Sequence, residues 1–252
     1  MDTHCHIQFD DYNLNPTKVI NEAHAAGVTR LICVGCTPED SHRAVEFAAE
    51  HPSISAAIGI HPHYAKSYVV DKTIRRQFSE LAKNGVAAIG ECGLDYYYKH
   101  SPASEQKKLF RWQLELASEY DLPLIFHVRE AFDDFLAILS DFEGVRGVVH
   151  SFTANLSTLD KILSKGLYIG LNGIMTFTKD ADQLAMAKRV PLESLVLETD
   201  APFLTPVPFR GTICQPKHVR VTAEFLSTLR GQPLDELAAA TTHNARKLFN
   251  LK

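Results

Sequence analysis

The sequence predicts an α/β protein: a single (β/α)8 TIM barrel with its site at the C-terminal face of the strands. Three observations predict this. Eight short apolar runs recur along the chain, mostly continuous rather than alternating, as in parallel strands buried on both faces. Helical patterns separate nearly all of them, and a repeated β-then-α order implies a parallel sheet. The length, 252 residues, is about what eight such units occupy in one domain. No linker, low-complexity tract or charge block divides the chain, so one domain over 1–252 is expected.

In chain order, the strand runs are Asp2–His6, Arg30–Cys36, Ile54–Ile60, Val86–Glu91, Leu122–His127, Gly147–His150, Leu167–Leu171 and Leu195–Glu198. Helix starts are marked by a capping residue before proline at Asn15-Pro16, Thr37-Pro38 and Ser101-Pro102. The helix opened by Ser101 should run to about Tyr120, with Leu109, Trp112, Leu116 and Tyr120 on one core-facing stripe. Gly27 and Gly166 read as helix stops. The tail reads as two helices, Pro216–Leu229 and Leu234–Phe249. The Pro-rich loop Ala201–Gln215 follows the last strand, where barrel loops carry function.

Composition narrows the possibilities. The formal net charge is −4, so nothing draws the whole surface to nucleic acid or membrane, and any nucleic-acid contact must be short and local. No apolar run approaches the ~20 residues of a membrane span. The start is neither basic nor apolar, so a cytoplasmic protein is expected. Five cysteines form no disulfide framework, and Cys33 and Cys36 are expected as buried free thiols in an apolar strand.

The chemistry-bearing residues gather at strand ends. Asp2, His4 and His6 alternate, so one face of a strand presents a carboxylate and two imidazoles within roughly 14 Å of backbone. Glu91 ends the fourth run, His127 the fifth and His150 the sixth, and Asp200 follows the eighth. Four histidines and three carboxylates would thus meet at one mouth, with no lysine or arginine inside those strand ends. Burying them together without cations is electrostatically costly, and two divalent ions would need about that many ligands. Imidazoles favour Zn²⁺, while Mg²⁺ or Mn²⁺ remain plausible working ions. His61 and His63 follow the third run. His24, His42, His51, His100, His218 and His243 map to helices or loops and read as ordinary surface residues.

Several stretches resemble the TatD family of metal-dependent deoxyribonucleases, within the amidohydrolase-like barrels. They are Asp2-Thr3-His4-Cys5-His6, Gly59-Ile60-His61-Pro62-His63, Gly90-Glu91-Cys92-Gly93-Leu94-Asp95, His150-Ser151-Phe152, Glu198-Thr199-Asp200-Ala201-Pro202 and the closing Asn244-Ala245-Arg246-Lys247-Leu248-Phe249. The resemblance implies that His4 and His6 hold one ion with Asp200, that Glu91 bridges two ions, and that His127 and His150 complete the second. It implies phosphate contacts from His63 and from Arg210-Gly211. One stretch departs from the family: a loop often reading Arg-Gly-Lys-x-Asn-x-Pro is here Arg210-Gly211-Thr212-Ile213-Cys214-Gln215-Pro216.

The expected function is phosphodiester hydrolysis by a two-metal-activated water, with Asp200 and Glu91 as catalytic residues. The resemblance implies an exonuclease on single-stranded or end-frayed DNA, with a role in DNA repair or degradation. Arg129 and Lys99 could add local positive potential, and a monomer is the favoured state. Two other readings fit the residues. The same site could hydrolyse an ester or amide, such as an aminoacyl-tRNA ester, or the barrel could be a catalytically silent scaffold.

Overall fold

A computed structural model describes residues 1–68 and 70–251. Its strands are β1 (Asp2–Cys5), β2 (Leu31–Val34), β3 (Ile54–Ile58), β4 (Ala88–Asp95), β5 (Leu124–Arg129), β6 (Gly147–Val149), β7 (Tyr168–Leu171) and β8 (Leu195–Leu197). Their order in the sheet is their order in the chain. The helices are α1 (Pro16–Ala25), α2 (Pro38–Glu50), α3 (Lys72–Lys83), α4 (Ala103–Glu119), α5 (Phe132–Leu139), α6 (Leu156–Ser164), α7 (Ala181–Arg189), α8 (Val219–Arg230) and α9 (Leu234–Leu248). This alternation, with parallel pairing, is the predicted (β/α)8 class. Among the described residues no helix is long and apolar enough to cross a membrane.

The chain forms two compact units. The first holds Met1–Cys33 and His150–Lys252. In it β1 pairs parallel with β2, β7 with β8, and Cys5 bridges to Ala201 beyond β8. The second unit, Val34–Val149, carries β3 to β6 as consecutive parallel neighbours. Its core holds Phe126 edge-on to Phe110 and Phe135, with ring centroids 6.0 and 5.1 Å away. Phe78 lies edge-on to Trp112 at 5.3 Å.

Local signals explain most boundaries. Asn15 accepts the Lys18 N–H and Thr37 the Asp40 N–H, each capping a helix that begins with proline. Gly27 and Gly166 end their segments at φ +82° and +73°, where a side chain would be strained. Leu109, Trp112 and Leu116 of α4 are buried as expected, while Tyr120 is half-buried.

Four expectations change. Ser101 does not cap α4, which begins after Pro102; its hydroxyl instead donates to the His63 carbonyl at 2.7 Å and accepts the Lys66 N–H at 3.0 Å. β4 and β5 run past the apolar runs because Gly93-Leu94-Asp95 pairs with His127-Val128-Arg129. Arg129 therefore lies inside a strand end that was read as free of basic residues. Cys36 is half-buried rather than buried.

His218 is the fourth. It is 4% exposed, not a surface residue. Its Nδ1 accepts the Gln215 N–H at 3.1 Å and its ring stacks on Phe209. Burial, with the neighbouring Lys217 charge, pushes its pKa down to about 4 from 6.5. The folded chain therefore binds fewer protons than the unfolded chain between those values, and stability should rise with pH across that window. Acidification from neutrality toward pH 4 should therefore cost up to about 3 kcal/mol of stability. Melting wild type and His218→Gln between pH 4.5 and 7 should show the gap in Tm closing with acidification. A gap independent of pH would rule out this role.

Candidate metal centre

In the first unit, three side chains converge because β1 lies beside the segment after β8. The Asp200 N–H donates to the His4 carbonyl at 2.8 Å, and the His6 N–H to the Ala201 carbonyl at 2.6 Å. Asp200 takes φ +62°, a left-handed conformation that aspartate tolerates better than most residues. His4 Nε2 and His6 Nε2 then lie 3.1 Å apart. Asp200 Oδ1 is 3.6 Å from the first and 3.4 Å from the second. His150, directly after β6, stacks on His4 with centroids 4.2 Å apart. His4, His150 and Asp200 each offer a ligand atom within 4.8 Å of the others. Burial disfavours the Asp200 carboxylate, yet the hydrogen bond with His6 and the nearby imidazoles hold its pKa below the usual range.

Behind His150 stands Glu198, fully buried at the end of β8. Its Oε1 accepts the Ser151 N–H at 2.6 Å and lies 3.6 Å from His150 Nδ1. Among the described residues its Oε2 is buried without a hydrogen-bond partner. Gly170 makes room for it, since a Cβ there would collide with the carboxylate.

In the second unit the groups come from the ends of β3, β4 and β5. Gly59 carries no side chain where a Cβ would press within 2.5 Å of the Gly90 backbone, so the chain bearing Glu91 passes close by. Glu91 Oε1 lies 2.9 Å from His127 Nδ1 and 3.4 Å from His61 Nε2. The Cys36 thiol donates to Glu91 Oε2 at 3.6 Å. His61 is buried, and desolvation outweighs the pull of Glu91, pushing its pKa down to about 4. It is therefore a neutral imidazole near pH 7. Nitrogens of His61, His63 and His127 also lie within 4.8 Å of one another.

Asp95 organises this group. Its Oδ2 is 2.9 Å from His63 Nε2 and 3.0 Å from His127 Nε2. Its Oδ1 accepts the N–H groups of Tyr97 and Tyr98. Burial works against its charge, but these hydrogen bonds and the His127 imidazole hold its pKa far below the ordinary carboxylate range. With Nε2 of His127 engaged, its Nδ1 faces Glu91.

The donor chemistry fits divalent cations in both groups. Imidazole nitrogens and carboxylate oxygens gather at strand ends in each unit, and the buried Glu198 oxygen lacks a donor among the described residues. His4, His6, His150 and Asp200 are candidate ligands in one unit, Glu91 and His127 in the other, with His61 a further donor.

The chain matches the family model described as TatD related DNase over residues 1–250. It belongs to the TatD family. The Bacillus subtilis (strain 168) relative named uncharacterized metal-dependent hydrolase YabD is 38% identical over 255 residues, spanning 99% of this chain and 98% of the relative. The 3′-5′ ssDNA/RNA exonuclease TatD of Erwinia tasmaniensis is 36% identical over 245 residues, 93% of each chain. The crystal structure of YjjV, a TatD homologue of Escherichia coli K12, superposes with TM-score 0.92 at 30% identity, covering 100% of this chain and 98% of that one. The (β/α)8 class read from the sequence is thus also that of a solved TatD-family structure.

Several sequence expectations need correcting against this TatD chain's geometry. Asp2 does not join the imidazoles. Pairing is irregular between Asp2 and Cys5, and the Asp2 carboxylate is spent on the Thr199 hydroxyl at 2.6 Å, the Thr199 N–H at 2.9 Å and the His4 N–H at 3.2 Å. Arg210 is exposed; its guanidinium donates to the Thr205 carbonyl at 2.8 Å and covers the Phe177 ring at 3.9 Å. Its contact with a substrate phosphate, expected from the resemblance, is a proposal. His63 is brought to Asp95 and His127, though its role toward substrate is a proposal. Asp95 and Glu198 had no assigned role, although each is an acid closing an apolar strand. That placement was the available signal, and Asp95 shares a strand face with Glu91 four residues earlier.

Asp95→Asn should weaken metal binding about 10- to 100-fold, the usual effect of losing a carboxylate that orients a ligand histidine. Competition titration with a chromophoric chelator measures this directly. Unchanged affinity would mean that Asp95 does not position His127.

Proposed function

We propose that this TatD-family metal-dependent hydrolase cleaves phosphodiester bonds, acting as an exonuclease on single-stranded or end-frayed DNA. The observation that carries this reading is the His4, His6 and Asp200 triad, whose ligand atoms lie 3.1 to 3.6 Å apart. The exonuclease named among its relatives supports the choice of bond and polymer. Following the family pattern, His4, His6 and Asp200 would hold one divalent ion, and Glu91, His127 and His150 are the other candidate ligands. When bound, such ions supply Lewis acidity to phosphate oxygens and lower the pKa of water from ~15.7 toward ~7.

The chain's own groups do the rest. Asp200, kept ionised by its imidazole neighbours, accepts the proton of the attacking water. His63, held by Asp95, contacts a phosphate oxygen of the substrate. Asp95 holds the His127 ring through Nε2, so that ligand need not be reoriented during turnover. None of these groups reads a base edge, so weak sequence preference is expected.

Oligonucleotides labelled at either end, assayed with Mg²⁺, Mn²⁺ and Zn²⁺, test the reaction and its polarity. Chelator-treated protein should be inactive, and reloading should restore activity as metal content approaches two ions per chain. Full activity in chelator, or hydrolysis of esters but not oligonucleotides, would overturn the reading.

A further inference from the structure

Beside the His63–Asp95–His127 group, the chain exposes an aromatic ledge. Tyr97 and Tyr98, which follow β4 after Tyr96, are each 50% exposed. Their rings meet edge to face, with centroids 4.9 Å apart. The Arg129 guanidinium sits over both, 4.1 Å from the Tyr97 centroid and 4.7 Å from that of Tyr98. His100 stacks on Tyr98 at 5.8 Å, and His63 meets Tyr98 edge-on at 5.3 Å.

The ledge differs from ordinary surface in three ways. It is held in place: Asp95 Oδ1 accepts the N–H groups of both tyrosines at 2.9 and 3.0 Å. The same carboxylate's other oxygen holds His63 and His127, so one buried group fixes both the ledge and the site histidines. Second, the preceding Tyr96 is half-buried with its hydroxyl on Asp134, whereas Tyr97 and Tyr98 present large aromatic area to solvent. Third, among the described residues Arg129 enters no ion pair, and its guanidinium lies against the two rings with no carboxylate to neutralise it.

Flat aromatic surface next to an uncompensated guanidinium suits one chemistry: an unpaired nucleobase stacked on the ring, with its phosphate near the cation. We propose that Tyr97, with Tyr98 as its wall and Arg129 as its phosphate contact, stacks an unpaired base of the substrate strand. This rests on the nuclease reading and deepens it by assigning a base subsite. A duplex keeps its bases stacked on one another and cannot offer one, so the ledge selects single strands without reading sequence. Because the backbone of the ledge is already fixed, little ordering entropy is lost on binding.

The test uses the full chain loaded with Mn²⁺ and a short single-stranded oligonucleotide carrying one abasic nucleotide stepped along its end. Stacking of one base should make Tyr97→Leu raise KM roughly tenfold or more, with kcat unchanged, while Tyr97→Phe stays near wild type. An abasic nucleotide at one position should raise the wild-type KM similarly and add nothing in Tyr97→Leu. Equal KM for Leu and wild type, or additive penalties, overturns the ledge while leaving the nuclease reading intact. Binding of an oligonucleotide containing 2-aminopurine, measured in chelator, separates the two readings. Quenching that is lost in Tyr97→Leu supports the ledge even if no metal supports hydrolysis. An oligonucleotide neither bound nor quenched overturns it.

Discussion

Asp2→Ala is expected to lower the unfolding free energy by at least about 3 kcal/mol, because it strands three buried donors at about 1 to 3 kcal/mol each. Those donors are the Thr199 hydroxyl, the Thr199 N–H and the His4 N–H. At about 2 to 4 °C per kcal/mol for a chain of this size, Tm should fall by about 10 °C. Asp2→Asn should be far milder. Both N–H groups reach Asp2 Oδ1, which an amide oxygen can replace. The amide nitrogen can then donate to the Thr199 hydroxyl oxygen, which already accepts the Ala201 N–H. The neutral side chain suits the site, since burial already raises the Asp2 pKa to about 7. The pair of variants also decides whether Asp2 is a ligand. If it clasps β1 to the segment after β8, Asp2→Asn keeps its full metal content and most of its stability. If it holds an ion, Asp2→Asn loses metal while remaining folded. Thermal melts with metal analysis on the same samples give the answer.

Asp2 also shows where reading the sequence reached its limit. Alternation correctly placed His4 and His6 near one another, but it assumed a regular strand, and the pairing of β1 shifts between Asp2 and Cys5. Strand ends were legible because apolar runs stop where polar chemistry begins, as at Val149-His150 and Leu197-Glu198. Beyond such a stop, period and hydropathy carry no signal. β4 continues to Asp95 only because β5 supplies partners for Gly93, Leu94 and Asp95, and those pairings depend on the fold rather than on local composition. Asp95 therefore stayed outside the expected site although it touches two of its histidines. His218 escaped local signals for a related reason: its ring stacks on Phe209 of the preceding loop, a contact that no local pattern announces. Arg210 was carried over by motif resemblance, and the local motif departs from the family pattern in the residues that follow it.

Asp200→Asn is expected to lose at least ~10²-fold in rate at saturating metal, within the ~10²–10⁴-fold typical for removing a general base. The argument starts from geometry. Asp200 is fixed by its N–H bond to the His4 carbonyl, by the Phe203 N–H on its own carbonyl, and by φ +62°. Asparagine accepts that left-handed conformation at least as readily as aspartate, so the backbone should not move. No core volume changes, so the variant should stay folded. What changes is charge and proton affinity. The carboxylate lies 3.4 Å from His6 Nε2 and 3.6 Å from His4 Nε2, and the surrounding imidazoles keep its pKa below the usual range. An amide can still offer one oxygen to a cation, more weakly, but it cannot take a proton. Two roles therefore predict two titration curves. If Asp200 only ligates, Asp200→Asn binds metal less tightly and excess metal restores the rate. If it also accepts the proton of the attacking water, the rate stays depressed when metal analysis shows the site full. The pH profile provides a second readout: loss of a base should remove the acidic limb of kcat, whereas weakened ligation should only displace it with metal concentration. Recovery to near wild-type rate at high metal, with the acidic limb intact, would reduce Asp200 to a ligand and leave the proton to another group.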